Sequence, residues 1–174
     1  MKQKIILFIA VVVFSGFNVN NRIETLISKE VKAVFQIDTY QKEAISVAEE
    51  INNSLPIPLN GINLFKISNE NELLGYYYHG QAYGKADYFD FLIVFDAELV
   101  ITKAKVLIYR EDHGGEIGSK RWLKQFTGTS KSEDLKYGKD IAGISGATIS
   151  VKAMTTEINK LLKTVDKLSK SGQL

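Results

Sequence analysis

Residues 88–109 read YFDFLIVFDAELVITKAKVLIY, and the reading of this stretch decides the fold. Aromatic and β-branched side chains dominate from Phe89 to Phe95 and again from Leu99 to Tyr109, a composition suited to a pleated, half-buried surface. Asp96, Ala97 and Glu98 separate the two runs, a break short enough for the strands to pair as an antiparallel hairpin. Phe91 to Phe95 offers no polar position and reads as buried on both faces. Lys103 and Lys105, alternating with Thr102, Ala104 and Val106, give the second strand a wet face.

Upstream, the same composition begins at Leu64 and includes Tyr76, Tyr77 and Tyr78, so residues 64–110 read as sheet. Ahead of it, Ile23, Leu26, Ile27, Val31 and Val34 recur at helical spacing over 22–35. Ala44, Ile45, Ala48 and Ile51 predict a second helix capped by Asp38 or Thr39. Pro56 and Pro58 then mark a connector. Downstream of the sheet comes the Gly-rich loop at His113, Gly114 and Gly115, which suits neither helix nor strand. Lys120 to Phe126 reads as a short helix capped by Ser119, with Trp122, Leu123 and Phe126 turned inward. Residues 127–139 are polar and loop-like. Val151, Met154, Ile158, Leu161, Leu162, Val165 and Leu168 form one stripe of a helix over 150–168, and 169–174 is a frayed tail. The pattern is α+β: an antiparallel β-sheet packed with helices.

The hexapeptide Ser145-Gly146-Ala147-Thr148-Ile149-Ser150 gathers small residues and hydroxyls immediately ahead of that last helix. A helix N-terminus leaves its first amide N–H groups unpaired and carries partial positive charge, so an anion is stabilised there. Gly146 and Ala147 clear room, and Thr148 offers a nucleophilic oxygen. Taken alone, a threonine here is more often a cap or turn residue, and Ser150 reads as the N-cap. Lys152 lies in the first helical turn, where a cation opposes the helix dipole and a bound phosphate would offset the penalty. A solvated lysine is an equal reading.

These residues carry a resemblance. Ser-Gly-Ala-Thr-x-Ser/Thr is similar to the signature of the exported FMN-binding domains found in the G subunit of Rnf-type electron transport complexes and the C subunit of Na⁺-translocating NADH:quinone reductases. Gly75-Tyr76, Tyr83-Gly84 and the run from Glu111 to Gly118 extend the match over roughly residues 60–165. The resemblance implies an FMN-binding-domain-like fold and FMN as cofactor, esterified to Thr148 by a flavin transferase that uses FAD, which makes the chain a phosphoprotein. It implies that Ser145 hydrogen-bonds the phosphate and that the loop with Gly114, Gly115, Glu116 and Gly118 lies against the isoalloxazine ring. Two positions depart from the family pattern. The loop lacks the usual proline, and Ala142 stands six residues before the threonine where the family commonly places an aspartate, with Asp140 two residues further back.

The 174 residues, 45% hydrophobic, suffice for one core. Lys2 and Lys4 followed by the uncharged run Ile5 to Phe14 read as a basic n-region and an apolar h-region. The apolar run to Phe17 falls short of the roughly 20 residues that span a bilayer, which favours a cleaved signal over a short membrane anchor. The segments are thus 1–17 export signal or anchor, 18–58 helical N-terminal segment, 59–168 FMN-binding domain and 169–174 tail. The chain has no cysteine, which excludes lipoprotein acylation and disulfides. The charge is +2, from 22 Lys+Arg less 20 Asp+Glu; without Lys2 and Lys4 it is 20 less 20, or zero. Zero charge removes the footprint of a nucleic-acid binder.

With only His79 and His113, a dedicated zinc site is not expected. His113 reads as a flavin donor or a metal ligand, and Trp122 as core in preference to a ring-stacking partner. No substrate-activating acid–base pair is visible, so the chain reads as an electron carrier between membrane or periplasmic redox proteins, not an enzyme with its own substrate. Two rivals stand beside this reading: reversible FMN binding on the same fold, and a cofactor-free exported interaction module.

Overall fold

A computed structural model describes residues 22–174. The export segment expected at 1–17 lies outside the described residues. Five strands form one sheet in the order of the sequence, β1 (Gln41–Ala44), β2 (Leu64–Asn69), β3 (Glu72–Tyr83), β4 (Tyr88–Asp96) and β5 (Ile101–Ile108). Every neighbouring pair is antiparallel. The hairpin read from residues 88–109 is present, and Leu99 takes a positive φ of 64° at its turn. The helices are α1 (22–35), α2 (Glu49–Ser54), α3 (Lys120–Leu123) and α4 (Thr148–Lys170).

The period of two along the strands feeds two cores. Tyr76, Tyr78, Phe91, Ile93, Phe95, Ala104 and Val106 point to the face covered by α4, where Val151, Met154, Ile158, Leu161, Leu162 and Val165 are fully buried. Tyr77, Leu92 and Val94 point the other way and pack beneath Ile23, Ile27 and Val31 of α1. This is why Phe91 to Phe95 has no polar residue: both faces are covered. The Tyr77 hydroxyl has no hydrogen-bond partner in its core.

Four expectations are corrected. Residues 38–51 do not form one helix: 41–44 pair with the open edge of β2, and α2 starts only at Glu49. Ladder hydrogen bonds to β2 outweigh a helix whose apolar stripe is four residues long, and Ile45 and Val47, between β1 and α2, and Ile51 of α2 pack against the main core instead. The face of β5 bearing Lys103 and Lys105 is half-covered, because α1 brings Glu30 to within 3.3 Å of Lys103 and 4.0 Å of Lys105. The Gly-rich loop contains a turn of 3₁₀ helix, Gly115–Gly118, opened by Gly114 at φ 83°. The C-terminal helix continues to Lys170, where the tail was expected to fray, and Leu174 packs against the core.

Trp122, Leu123 and Phe126 are buried as expected, and Ser119 caps their helix by accepting from the Trp122 amide. In the connector, Leu55, Ile57 and Leu59 are buried, and the Ile57 amide donates to Thr164 Oγ1 at 3.1 Å.

Candidate functional site

Where the β3–β4 hairpin, the loop after β5 and the start of α4 meet, they enclose a cleft of about 630 Å³. Its walls include Lys85 and Ala86 from the hairpin, Glu111 and His113 from the loop, and Gly146 to Ser150 from the helix entry. Gly146 turns the chain at φ 81° with open space where a Cβ would be. Ala147 is the N-cap of α4 and offers no capping side chain. The amides of Thr148, Ile149 and Ser150 therefore occupy the first three helical positions, with no acceptor inside the helix. Thr148 is exposed there, and its hydroxyl has no hydrogen bond among the described residues. Ser150 is not the cap: it is buried within the first turn, and its Oγ lies 3.2 Å from the Tyr109 hydroxyl.

Tyr109 and Glu111 hold the three walls together. The Tyr109 hydroxyl also lies 3.1 Å from Glu111 Oε2 and 3.0 Å from the His113 carbonyl, tying β5 to the loop and to α4. Glu111 Oε1 accepts from the Ala86 amide at 2.7 Å and the Asp87 amide at 3.4 Å, fixing the hairpin tip. The Ala86 amide, with help from the Tyr109 hydroxyl and neighbouring amides, holds the Glu111 carboxyl below the ordinary glutamate range. Burial raises the Tyr109 pKa, and the adjacent carboxylates of Glu111 and Glu116 add to it.

Two glycines are required for this closeness. A Cβ at Gly84 would lie 2.5 Å from Glu111 Oε1 and 3.0 Å from Ser150 Oγ, and one at Gly114 would lie 2.8 Å from the Ala147 Cβ. Gly114→Ala also strains a left-handed backbone. It is expected to lower stability by about 1–2 kcal/mol, seen as a lower urea midpoint, and to weaken flavin retention because α4 must shift.

A second polar cluster lies on the α1 side of the sheet. Asp90, with no solvent exposure, accepts from His79 Nε2 at 3.0 Å, Gln81 Nε2 at 2.9 Å and the Arg110 guanidinium. Burial alone would raise its pKa; the three hydrogen bonds and the Arg110 charge overcome that and hold it at about 2.

The structure thus brings together Gly146, Ala147 and Thr148, with Gly114 against Ala147. Ser145, Gly114, Gly115, Glu116 and Gly118 lie outside the cleft wall; Ser145, Gly115 and Glu116 are exposed, and a Cβ at Gly115 or Gly118 would meet nothing. Lys152 also lies outside, its ammonium 5.0 Å from the centre of the Tyr137 ring. Sequence reading missed Ile149, Lys85 and Ala86 as cleft walls, and Tyr109 as the residue whose hydroxyl bonds to Glu111 and Ser150 of those walls. Tyr109 reads as one more strand aromatic, and nothing local marks Lys85 as a neighbour of Thr148.

An α+β domain with a meander sheet and an uncapped helix N-terminus that opens on a cleft is a class of anion-binding domain. The donor set suits a phosphate ester: three helix amides, open space at Gly146 and a free hydroxyl on Thr148. Comparison with known proteins makes the class particular. Residues 84–163 match the FMN-binding domain family; this segment belongs to that family, and its cofactor is FMN. The G subunit of the Na⁺-translocating ferredoxin:NAD⁺ oxidoreductase complex of Acetobacterium woodii is 31% identical over 139 residues. That match covers 74% of this chain and 66% of the relative, so the chain spans just under two thirds of the relative's length.

Proposed function

We propose that this chain is an exported flavoprotein domain that carries FMN esterified to Thr148 and transfers electrons at or outside the cytoplasmic membrane. The observation that carries the reading is the exposed, unbonded Thr148 hydroxyl at the first position of an uncapped helix, over a cleft large enough for a flavin. In the attachment step the Thr148 oxygen forms a bond to the FMN phosphorus of FAD, the pyrophosphate bond breaks, AMP leaves, and the hydroxyl proton passes to solvent or to the transferase. The amides of Thr148, Ile149 and Ser150 would hold the phosphate of the attached group. Bound FMN supplies one- or two-electron redox chemistry at its ring. The chain's own part is to orient it, with Tyr109 and Glu111 fixing the cleft walls.

Export rests on Lys2, Lys4 and the apolar run that follows, and the redox partners rest by similarity on the Na⁺-translocating complex that the relative's name describes. The chain beyond the export segment then divides into the N-terminal segment 18–58, whose described residues carry α1, β1 and α2, the FMN-binding domain 59–168 and a short tail. Intact mass of the exported protein, made with and without a flavin transferase, tests attachment and export together. The expected product has gained one FMN only when the transferase is present, and its mass separates a cleaved export signal from a retained anchor. A single unmodified mass under both conditions overturns the covalent form.

Reversible FMN binding is the second reading, favoured by Ala142. The Ala142 backbone is held by α3 and the turn that follows it, its amide donating to Gln125 Oε1 and its carbonyl accepting from Trp122 Nε1, each at 2.8 Å. Asp140, the nearest carboxylate in sequence, accepts from the Lys136 amide. On this reading denaturation followed by filtration releases all flavin.

A further inference from the structure

A second groove, of about 600 Å³, lies between α1, the edge strand β5 and α3, remote in sequence from the helix entry at Thr148. Five lysines line it: Lys29, Lys103, Lys105, Lys120 and Lys124. One carboxylate faces them, that of Glu30, shared between Lys103 and Lys105. The local charge is therefore +4, from five lysines less one glutamate, in a chain whose net charge beyond Lys4 is zero. Crowding like charges opposes folding, and core packing gives no reason for it, since Lys29, Lys120 and Lys124 are exposed. A polyanion in the groove is what would relieve the crowding.

We infer that this groove docks on the anionic phosphate headgroups of a lipid bilayer. The chain supplies the argument for a bilayer over other polyanions. The apolar run ends at Phe17, and α1 occupies residues from 22 onward. Five extended residues reach at most about 17 Å, and Lys29 lies seven residues further, about 10 Å along a helix. The lysines are thus held within reach of any membrane that takes up the apolar run. An anionic surface attracts each nearby lysine strongly enough for about a fivefold gain in partition, and the attraction fades within a Debye length. The consequence is orientational: α1, β5 and α3 face the membrane. This inference rests on the membrane-side location proposed above.

Lysine acetylation read by mass spectrometry tests it on the full chain with its flavin. The chain is incubated with vesicles of phosphatidylcholine alone or mixed with phosphatidylglycerol. Acetylation of Lys29, Lys103, Lys105, Lys120 and Lys124 is expected to slow at least fivefold on the anionic vesicles, and to recover in high salt. Lys139 and Lys163 should be unaffected. Lys120→Gln with Lys124→Gln, both on the surface, should cut the protection of Lys103 and Lys105 while flavin content stays constant. Equal rates on the two vesicles, or equal protection by soluble polyglutamate without vesicles, would overturn the inference. Absence of sedimentation with neutral vesicles, with lysine protection on anionic ones, would instead sink retention of the apolar run as an anchor and leave the groove assigned.

Discussion

Thr148→Ala protein, co-produced with a flavin transferase, is expected to lose all flavin that survives denaturation, while wild-type chain stays yellow after unfolding and gel filtration. The reason is chemical. The substitution removes the only atom proposed to bond to phosphorus, and no neighbouring hydroxyl takes its place: Ser150 is buried against Tyr109, and Ser145 lies outside the cleft wall. Folding should survive. Thr148 is exposed, has no side-chain hydrogen bond, and sits at a helical position where alanine is well tolerated, so the cost is below about 0.5 kcal/mol. Thr148→Ser keeps a hydroxyl and should retain part of the colour. Denaturation-resistant flavin in Thr148→Ala would end the assignment of this residue as the tether. Colourless wild-type protein in the presence of the transferase would end covalent attachment altogether, and flavin released by unfolding wild-type protein would establish the reversible form.

The second large effect is on stability, and it belongs to Asp90. Asp90→Ala is expected to cost about 3 kcal/mol. It strips a fully buried carboxylate from His79, Gln81 and Arg110 and leaves three donors facing one another across β3, β4 and the end of β5. Asp90→Asn keeps the shape and loses the charge. The pH dependence follows from the carboxyl pKa, about 2 in the folded chain against an ordinary 3.8. A depressed folded pKa means that the stabilisation, about 2 kcal/mol, is fully present above pH 5, fades as pH falls from about 4 to about 2, and is gone below that. Urea unfolding of wild type and Asp90→Asn between pH 7 and pH 2 should show the gap between them closing as pH falls. A gap that stays constant over this range would show that charge on Asp90 contributes nothing.

Thr148 and Asp90 belong to different layers of the molecule. Thr148 sits at the end of a helix whose buried stripe fixes where its N-terminus points. Asp90 sits in the sheet that carries the cleft, and its partner Arg110 directly precedes Glu111. A loss at Asp90 is therefore expected to loosen the cleft as well as the sheet, whereas a loss at Thr148 leaves both intact.

Much of the fold is legible in the sequence because it rests on local periodicity. The β4–β5 hairpin shows in the composition of residues 88–109, the C-terminal helix in its stripe from Val151 to Leu168, and the helix over 22–35 in Ile23, Ile27 and Val31. That a helix follows Ser145 to Ser150 is legible for the same reason: the segment is contiguous, and a helix entry is a local event. What failed was read with local rules in places where partners distant in sequence decide. Residues 41–44 are strand because β2 has an open edge beside them. Ser150 is buried because Tyr109, 41 residues away, reaches it.

By itself the sequence determined the α+β class, the antiparallel hairpin and the presence of a C-terminal helix just after Gly146, since short-range pattern and backbone chemistry suffice for each. Only the tertiary structure decided what surrounds that threonine. It closes the cleft with Lys85, Glu111 and His113, takes Lys152 away to Tyr137, and crowds five lysines from α1, β5, α3 and the turn after it into one groove. Those neighbours come from chain segments tens of residues apart, and side chains meet there because two cores, one on each face of the sheet, set the distances between the elements that carry them.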